Sequence, residues 1–299
     1  MSVTTRELDG EPSTLRLYLK AALPALPVVG TLPGCRHARG DAPELLLTRT
    51  GVRTDPSHLA AYVDVCGFSL GALLPATYPH LAAFGLQLTL MCDTAFPFAP
   101  MGMVHLRNSI TQYRPLTVED VLDVGVTAAD VRPHPKGRLV DLVSTIDVGG
   151  SRVWEETMTL LARSGDGGEE HGTAPLADLQ APKGPVRWRL PADLGRRYAA
   201  VSGDRNPIHM YALTAKAFGF PRQIAHGMWA KARCLAALEG RLPRSYRVDV
   251  EFKKPVLLPT SVTFGSRRAP GATEFGVVGP PREDRPAPTH LVGRVTPFE

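Results

Sequence analysis

The residues best suited to acid–base chemistry lie in one short stretch, Gly203-Asp-Arg-Asn-Pro-Ile-His209. Asp204 and His209 are five positions apart, whereas neighbours on one helix face are three or four apart. The glycine and the proline of this stretch interrupt a helix, so a loop can bring the carboxylate and the imidazole to one point. Asn206 lies between them and can both donate and accept hydrogen bonds. The pattern predicts a general acid–base pair.

The same stretch has two other interpretations. Asp, Asn, Gly and Pro are turn-forming residues, so the stretch can be a structural turn without chemistry. Asp204 and the asparagine two residues later also resemble the first ligands of a calcium loop. That loop then needs glycine and glutamate where this chain has His209 and Ala215. His209, His226 and Cys234 have none of the usual zinc-site spacings, so we predict that the protein binds no metal.

A second segment, Gln223-Ile-Ala-His-Gly-Met228, ends where an apolar helix is predicted to begin. Gly227 falls in the first turn of that helix, where N–H groups lack intrahelical partners and the macrodipole is positive. Such an N–H can bind a carbonyl oxygen that becomes an enolate, and glycine lets a substrate approach the backbone closely. The alternative is that His226 and Gly227 only start the helix.

Charge and composition exclude several classes of function. The formal net charge of +5 and the pI near 9.1 suit a phosphate-bearing ligand, but no Lys/Arg stripe typical of nucleic-acid binding is present. The longest apolar run, residues 81–92, is too short to cross a bilayer, and the N-terminus has no apolar signal core. The four cysteines form no C-x-x-C pair, as expected for free thiols. We therefore predict a cytoplasmic protein that binds neither nucleic acid nor membrane.

Hydrophobic periodicity divides the chain into four parts. Residues 1–44 are predicted to be an N-terminal extension, of which residues 1–14 form a mobile tail. Residues 45–163 have helical spacing followed by alternating strand patterns. Residues 164–185 are polar and glycine-rich, as in a linker. Residues 186–299 then repeat the order of helices followed by strands.

This repeated order predicts a duplicated α+β fold. Tyr62-Val-Asp-Val-Cys-Gly67 aligns with Tyr198-Ala-Ala-Val-Ser-Gly203, and Tyr113-Arg-Pro-Leu116 aligns with Lys253-Lys-Pro-Val256. Phe68 takes the place of Asp204 in the first half, where no Asn-Pro-x-His follows. We therefore expect one active site per chain.

These residues carry a family resemblance. The motif Tyr-x-x-Val-Ser-Gly-Asp-x-Asn-Pro-Ile-His, followed after eighteen positions by Gly227 within His-Gly-Met, resembles the signature of the MaoC-like, R-specific enoyl-CoA hydratases and 3-hydroxyacyl-thioester dehydratases. The similarity extends to about residue 266, and residues 50–163 resemble the non-catalytic half of double-hotdog members. The resemblance implies a double hotdog, which is two repeats of a long helix wrapped by a curved antiparallel sheet.

The resemblance also implies roles for individual residues. Asp204 and His209 would form the catalytic dyad, Asn206 would orient it, and the Gly227 N–H would bind the thioester oxygen. The implied reaction is reversible dehydration of (3R)-hydroxyacyl thioesters carried by CoA or by an acyl-carrier protein, with no cofactor. Arg222, Lys253 and Lys254 are candidate contacts for CoA phosphates, or else solvated surface charges.

Two alternative functions and one question of assembly stay open. A hotdog thioesterase would hydrolyse acyl-CoA, and a non-catalytic subunit would bind acyl thioesters without turnover. For the assembly, the alternatives are a homodimer and a monomer.

Overall fold

The computed structural model describes residues 3–22, 40–163, 167–170, 176–281 and 286–298. Its eleven described strands are β1 (Thr4–Glu7), β2 (Leu45–Arg53), β3 (Val104–Gln112), β4 (Val121–His134), β5 (Gly137–Val148), β6 (Ser151–Arg163), β7 (Val186–Leu190), β8 (Tyr246–Phe252), β9 (Thr260–Ala269), β10 (Ala272–Val278) and β11 (Thr289–Pro297). The described helices are α1 (Thr14–Ala22), α2 (Pro56–Cys66), α3 (Pro79–Met91), α4 (Leu194–Ser202), α5 (Pro207–Met210), α6 (Ala212–Ala217) and α7 (Gly227–Leu238).

The strand order shows the duplication directly. One sheet runs β1-β2-β4-β5-β6-β3-β8-β11-β10-β9-β7. Without β1, the two halves have the same order read from opposite ends, so β2 corresponds to β7 and β3 to β8. The halves meet where β3 and β8 pair antiparallel, with Arg107 opposite Glu251. The predicted α+β double-hotdog fold is confirmed.

Each half places one longer helix against the sheet. α3 packs on β2, β4 and β5, and it is apolar nearly all round because it is buried on most of its surface. α7 is its counterpart, and Lys231 of α7 reaches the Val248 carbonyl on β8 at 3.1 Å. Both helices therefore lie in the interior, as the hotdog arrangement requires.

The halves differ in the connection that leads into the longer helix. α2 and α4 both end at a glycine in the left-handed region, Gly67 with φ 77° and Gly203 with φ 72°. Between Gly67 and α3 there are 78 − 67 = 11 residues, whereas between Gly203 and α7 there are 226 − 203 = 23. The longer connection contains α5 and α6. Phe68 and Asp204 occupy the same place after these glycines, as predicted.

The N-terminal segment is ordered, so the prediction of a mobile tail for residues 1–14 is wrong for the described residues. β1 pairs in parallel with β2, with Thr4 opposite Leu45 and Glu7 opposite Thr48. The main-chain hydrogen bonds of this edge hold the segment, although its side chains are exposed. Sequence pattern alone cannot detect such a strand, because no buried face imposes an alternation.

The predicted boundaries at 45, 163 and 186 coincide with strand ends, yet all the strands form one sheet. The division into domains therefore stays a prediction. Part of the predicted linker, 164–166 and 171–175, lies outside the described residues. Cys66, Cys92 and Cys234 are free and buried, and Cys35 also lies outside the described residues. No helix in the described ranges is long and apolar enough to span a membrane.

A buried polar cluster joins the two halves. Lys231 of α7 donates to the Asn108 side-chain oxygen on β3 at 2.5 Å, and the Asn108 amide donates to Glu156 on β6 at 2.8 Å. His80 and Gln87 of α3 contact the other oxygen of Glu156 at 2.8 and 3.0 Å. Lys231 and Glu156 are both 0 % exposed. Buried charges need such partners, because unpaired charges in the interior are strongly unfavourable.

Candidate active site

The connection from α4 to α7 brings the predicted acid–base residues together. Asp204 follows the glycine that ends α4, and Asn206 caps α5 by accepting a hydrogen bond from the Ile208 N–H at 3.4 Å. His209 lies in α5, whose backbone packs tightly against α4 at Gly195. A Cβ on Gly195 would lie 2.1 Å from the His209 carbonyl oxygen, so only glycine allows this approach.

The Asp204 carboxylate is held on one side and open on the other. Its Oδ1 accepts hydrogen bonds from the Tyr18 hydroxyl at 2.5 Å and from the Asn206 N–H at 3.1 Å. Its Oδ2 lies 3.7 Å from Nε2 of His226. The side chain is 25 % exposed, so a ligand can reach it. Asn206 thus contacts the carboxylate through its backbone N–H and caps the helix that carries His209, which is consistent with the predicted orienting role.

His209 and His226 form a buried stack next to this carboxylate. Their ring centroids lie 3.7 Å apart. Nδ1 of His209 contacts the Ile224 carbonyl at 2.8 Å, and Nε2 of His226 contacts the Asp204 carbonyl at 3.0 Å. A carbonyl can only accept, so each of these nitrogens carries the proton. The neutral His209 therefore has its lone pair on Nε2.

The electrostatics favour an ionised carboxylate beside neutral imidazoles. Burial by itself would raise the pKa of Asp204, but charge interactions with His226 and His209 oppose this effect. The hydrogen bonds from Tyr18 and from the Asn206 N–H add to this, so the pKa of Asp204 is lowered. Burial lowers the pKa of His209, and Asp204 offsets this only in part. Burial, reinforced by His209, lowers the pKa of His226 to about 3.

Gly227 is the first residue of α7, as predicted, so its N–H has no acceptor within the helix. A Cβ on Gly227 would lie 3.1 Å from the Phe252 ring, tighter than ordinary contact. The glycine therefore has a packing reason as well as the predicted oxyanion reason. In both explanations another group lies close to the backbone of Gly227, either the Phe252 ring or the substrate oxygen.

The three basic candidates do not form one cluster. Arg222, Lys253 and Lys254 are all exposed. Residues 223–225 run antiparallel to residues 256–258, as the Ile224–Leu257 bridge shows. This direction puts Lys253 and Lys254 on the Gly227 side of the pairing and Arg222 on the opposite side. Lys253 also forms an ion pair with Glu251.

One group of side chains meets the distance criterion for a metal site. One ligand atom from each of Asp204, His209 and His226 lies within 4.8 Å of the others. From the sequence, the set considered for zinc was the two histidines with Cys234, not with Asp204. Nε2 of His226, however, donates its proton to the Asp204 carbonyl, and that nitrogen then has no lone pair for a metal. Because this leaves two of the three side chains as ready ligands, the absence of metal stays our prediction.

Sequence reasoning missed two residues that contact the pair. His226 was considered only as the residue before Gly227 and as a zinc ligand, although its position in the motif was a usable signal for a role beside Asp204. Tyr18 has no such signal, since it lies 186 positions from Asp204 and belongs to the N-terminal segment. Only the packing of α1 on α3, from which Tyr18 reaches across to the second half, brings it into contact.

This arrangement can hold one water molecule or hydroxyl between two acceptors. The ligand atoms of Asp204 and His209 lie within 4.8 Å of each other. A water molecule that is about 2.8 Å from each of two acceptors can bridge such a separation. The Gly227 N–H offers a hydrogen-bond donor at the start of a helix, where negative charge is stabilised. A base, a polarised hydroxyl site and a donor for an oxyanion are the parts that water elimination beside a carbonyl needs.

Known proteins are similar to this chain in sequence and in fold. Residues 176–268 match the family model described as a MaoC like domain. The 3-hydroxyacyl-thioester dehydratase X of Mycobacterium tuberculosis is 42 % identical over 253 residues, which cover 84 % of this chain and 88 % of the relative.

Solved structures agree with this match. The crystal structure of HtdX from Mycobacterium tuberculosis superposes with a TM-score of 0.73 at 36 % identity, covering 85 % of this chain and 100 % of that one. A conserved hypothetical protein of the same organism, described as a double hotdog fold, gives a TM-score of 0.54 at 14 % identity over 83 % of this chain and 93 % of its own. That last likeness concerns the fold alone. The extent and identity of the first relative confirm the resemblance read from the motif, and the chain belongs to the family of MaoC-like dehydratases.

Proposed function

We propose that this MaoC-like dehydratase removes water from (3R)-hydroxyacyl thioesters to give trans-2-enoyl thioesters, and that it catalyses the reverse hydration. The observation that carries the proposal is that the Asp204 carboxylate and the buried His209 ring lie within 4.8 Å of each other, with Nδ1 of His209 held by the Ile224 carbonyl. The relative named 3-hydroxyacyl-thioester dehydratase supports the same reaction.

His209 is the proposed base. Its Nδ1–H is fixed on the Ile224 carbonyl, so Nε2 presents the lone pair to the substrate. Asp204 is the charged partner of this base, because the neighbouring imidazoles and hydrogen bonds lower its pKa. In dehydration, Nε2 of His209 accepts the proton from C2 of the substrate. Positioned proton transfer of this kind contributes about 10²–10⁴-fold to the rate.

Asp204 stabilises the imidazolium that this step creates, and its free Oδ2 accepts a hydrogen bond from the 3-hydroxyl. The imidazolium then returns its proton to that hydroxyl, which leaves as water while the C2=C3 double bond forms. The C2–H and C3–O bonds break, and every atom of the water comes from the substrate. The reaction therefore requires no redox cofactor.

Gly227 is the proposed oxyanion donor. As C2 loses its proton, negative charge moves onto the thioester oxygen, and the Gly227 N–H at the helix start stabilises that charge. One such donor contributes roughly 10²–10³-fold to the rate in enzymes that use it.

The substrate carrier and the setting are parts of the same proposal. CoA or an acyl-carrier protein would present the thioester, with Lys253 and Lys254 on the Gly227 side of the site and Arg222 further away as phosphate contacts. A cytoplasmic location is supported by the three buried free thiols, which suit a reducing compartment. A homodimer is proposed and would be measured by sedimentation.

The deciding experiment follows the absorbance of crotonyl-CoA during hydration by the wild type and by two variants. Asp204→Asn and His209→Ala should each abolish the change while leaving the circular dichroism spectrum intact. Arg205→Ala is the matched control, because Arg205 lies in the same loop and is exposed. Wild-type rates in both site variants would overturn the assignment. Release of free thiol from a saturated acyl-CoA would instead identify a thioesterase, and binding without turnover a non-catalytic subunit.

A further inference from the structure

The N-terminal helix α1 contributes a side chain to the site that the family motif does not contain. The Tyr18 hydroxyl donates to Oδ1 of Asp204 at 2.5 Å, across 186 positions of sequence. Burial and the neighbouring carboxylate raise the pKa of Tyr18 well above its usual value. The phenol therefore keeps its proton and acts as a donor to the carboxylate.

The helix that carries Tyr18 is fixed at several points along the N-terminal segment. β1 pairs with β2 at the sheet edge, and Pro12 packs against Gly85 of α3, where a Cβ would lie 3.1 Å from the proline ring. A Cβ on Gly203 would lie 3.4 Å from the Thr14 side chain. The segment thus contacts both halves, and Tyr18 reaches Asp204 from a held position.

The hydrogen bond from Tyr18 gives the two oxygens of the Asp204 carboxylate different environments. Oδ1 is taken by Tyr18 and by the Asn206 N–H, whereas Oδ2 has only His226 nearby, at 3.7 Å. Two donors on one oxygen restrict rotation of the carboxylate, and hydrogen bonds to a charged acceptor are about twice as strong as neutral ones. Oδ2 is consequently the oxygen left to face a ligand.

We propose that Tyr18 is a positioning residue of the dehydratase, which orients Asp204 and keeps it ionised, so that the N-terminal helix is part of the active site. This inference rests on the proposed function. The titratable groups that face Asp204 are Tyr18 from α1, His209 from α5 and His226 ahead of α7; Tyr198 of α4 lies beyond His226, with ring centroids 4.9 Å apart.

The test is Tyr18→Phe in the full-length protein, with kcat and KM for hydration of crotonyl-CoA measured across pH. Phenylalanine keeps the ring and removes only the donor. We expect kcat to fall roughly tenfold to a hundredfold, the range for losing a hydrogen bond to a charged group. KM should change little, because the Tyr18 hydroxyl bonds Asp204 and would act on the substrate only through that carboxylate. The acidic limb of the kcat/KM profile should move to higher pH, since an Asp204 carboxylate without this donor stabilises the His209 imidazolium more strongly and so raises the pKa of the base.

Two further variants separate this role from a structural one. Leu19→Ala changes the next residue of the same helix, which is 63 % exposed, and it should leave the profile unchanged. Replacement of Tyr18 by 3-fluorotyrosine makes the phenol a stronger donor without removing it. The acidic limb should then move to lower pH, opposite to Tyr18→Phe, and this arm keeps the test valid if the phenylalanine variant folds poorly.

The outcomes distinguish the two proposals. An active wild type with unchanged acidic limbs in both Tyr18 variants would overturn the positioning role and leave the proposed function standing. A wild type that hydrates no enoyl thioester would overturn the proposed function and the role of Tyr18 together. Opposite shifts of the limb in the two variants, with Leu19→Ala unchanged, would support the inference.

Discussion

His209 and His226 stack with ring centroids 3.7 Å apart, yet they carry their protons on different nitrogens. His209 donates from Nδ1 to the Ile224 carbonyl, and His226 donates from Nε2 to the Asp204 carbonyl. The two imidazoles are therefore held in opposite tautomers by backbone acceptors. His226 fixes the backbone of the residue whose side chain faces His209, so the stack couples both members of the acid–base pair.

The first prediction concerns His226→Phe. The ring stack is retained, but the Asp204 carbonyl loses its donor in a buried place, which costs about 1–3 kcal/mol of unfolding free energy. We also expect kcat/KM to fall by about tenfold, because the backbone of Asp204 is no longer held by a hydrogen bond. Urea denaturation and hydration kinetics measure the two effects.

Tyr198→Phe is the control, because the buried Tyr198 hydroxyl has no hydrogen-bond partner among the described residues, so its loss should not lower stability. Equal stability losses in both variants would contradict the prediction.

The second prediction compares two substitutions of Gly227. Alanine and proline both add a Cβ near the Phe252 ring, but only proline removes the N–H. Proline is well accepted at the first helical position, and His226, with φ −66° and ψ 140°, already has the extended conformation preferred before proline. We expect Gly227→Pro to lower kcat roughly 10²–10³-fold further than Gly227→Ala does. Equal rates in the two variants would mean that the glycine serves packing alone.

The sequence predicted the site better than it predicted what supports the site. The Asp-x-Asn-Pro-x-His stretch and the helix start at Gly227 are local features, because turn residues and a helix N-terminus specify their own geometry. The role of Tyr18 could not be predicted, since its contact with Asp204 depends on the tertiary position of α1. β1 was missed for a similar reason, because a parallel edge strand with exposed side chains leaves no hydrophobic alternation.

The third prediction is that metal removal has no effect. Asp204, His209 and His226 are close enough to hold an ion, but the proton on Nε2 of His226 leaves that nitrogen without a lone pair, so only two of the three side chains are ready ligands. Dialysis against EDTA should therefore leave kcat unchanged, and added Zn²⁺ should not raise it. Loss of activity on chelation, restored by one divalent ion, would contradict this and would make the three side chains a metal centre.

The fourth prediction concerns the buried cluster that joins the halves. Burial lowers the pKa of Lys231 to about 7, although Glu156 partly opposes this effect. An unfolded lysine titrates near 10.4, so between pH 7 and that value the unfolded chain binds more protons than the folded one. The contribution of Lys231 to the unfolding free energy should then rise as the pH rises from about 7 towards about 10.4. Below about pH 7 this contribution should be constant. The sign is opposite to that of a surface ion pair, which weakens when its lysine loses the proton.

Lys231→Met removes the titrating group and keeps an apolar stem of similar length in the same place. The unfolding free energy of the wild type minus that of Lys231→Met should therefore increase from pH 7 to pH 9.5, as measured by urea denaturation at several pH values. Lys216→Met provides the control, because Lys216 is exposed and should give a difference that does not change with pH over this range. A pH-independent difference for Lys231→Met would mean that the lysine stays charged inside the cluster. In that case the hydrogen bonds to Asn108 and Val248 hold a full positive charge between the two halves, and the cluster would weaken only as the pH approaches the ordinary range of a lysine.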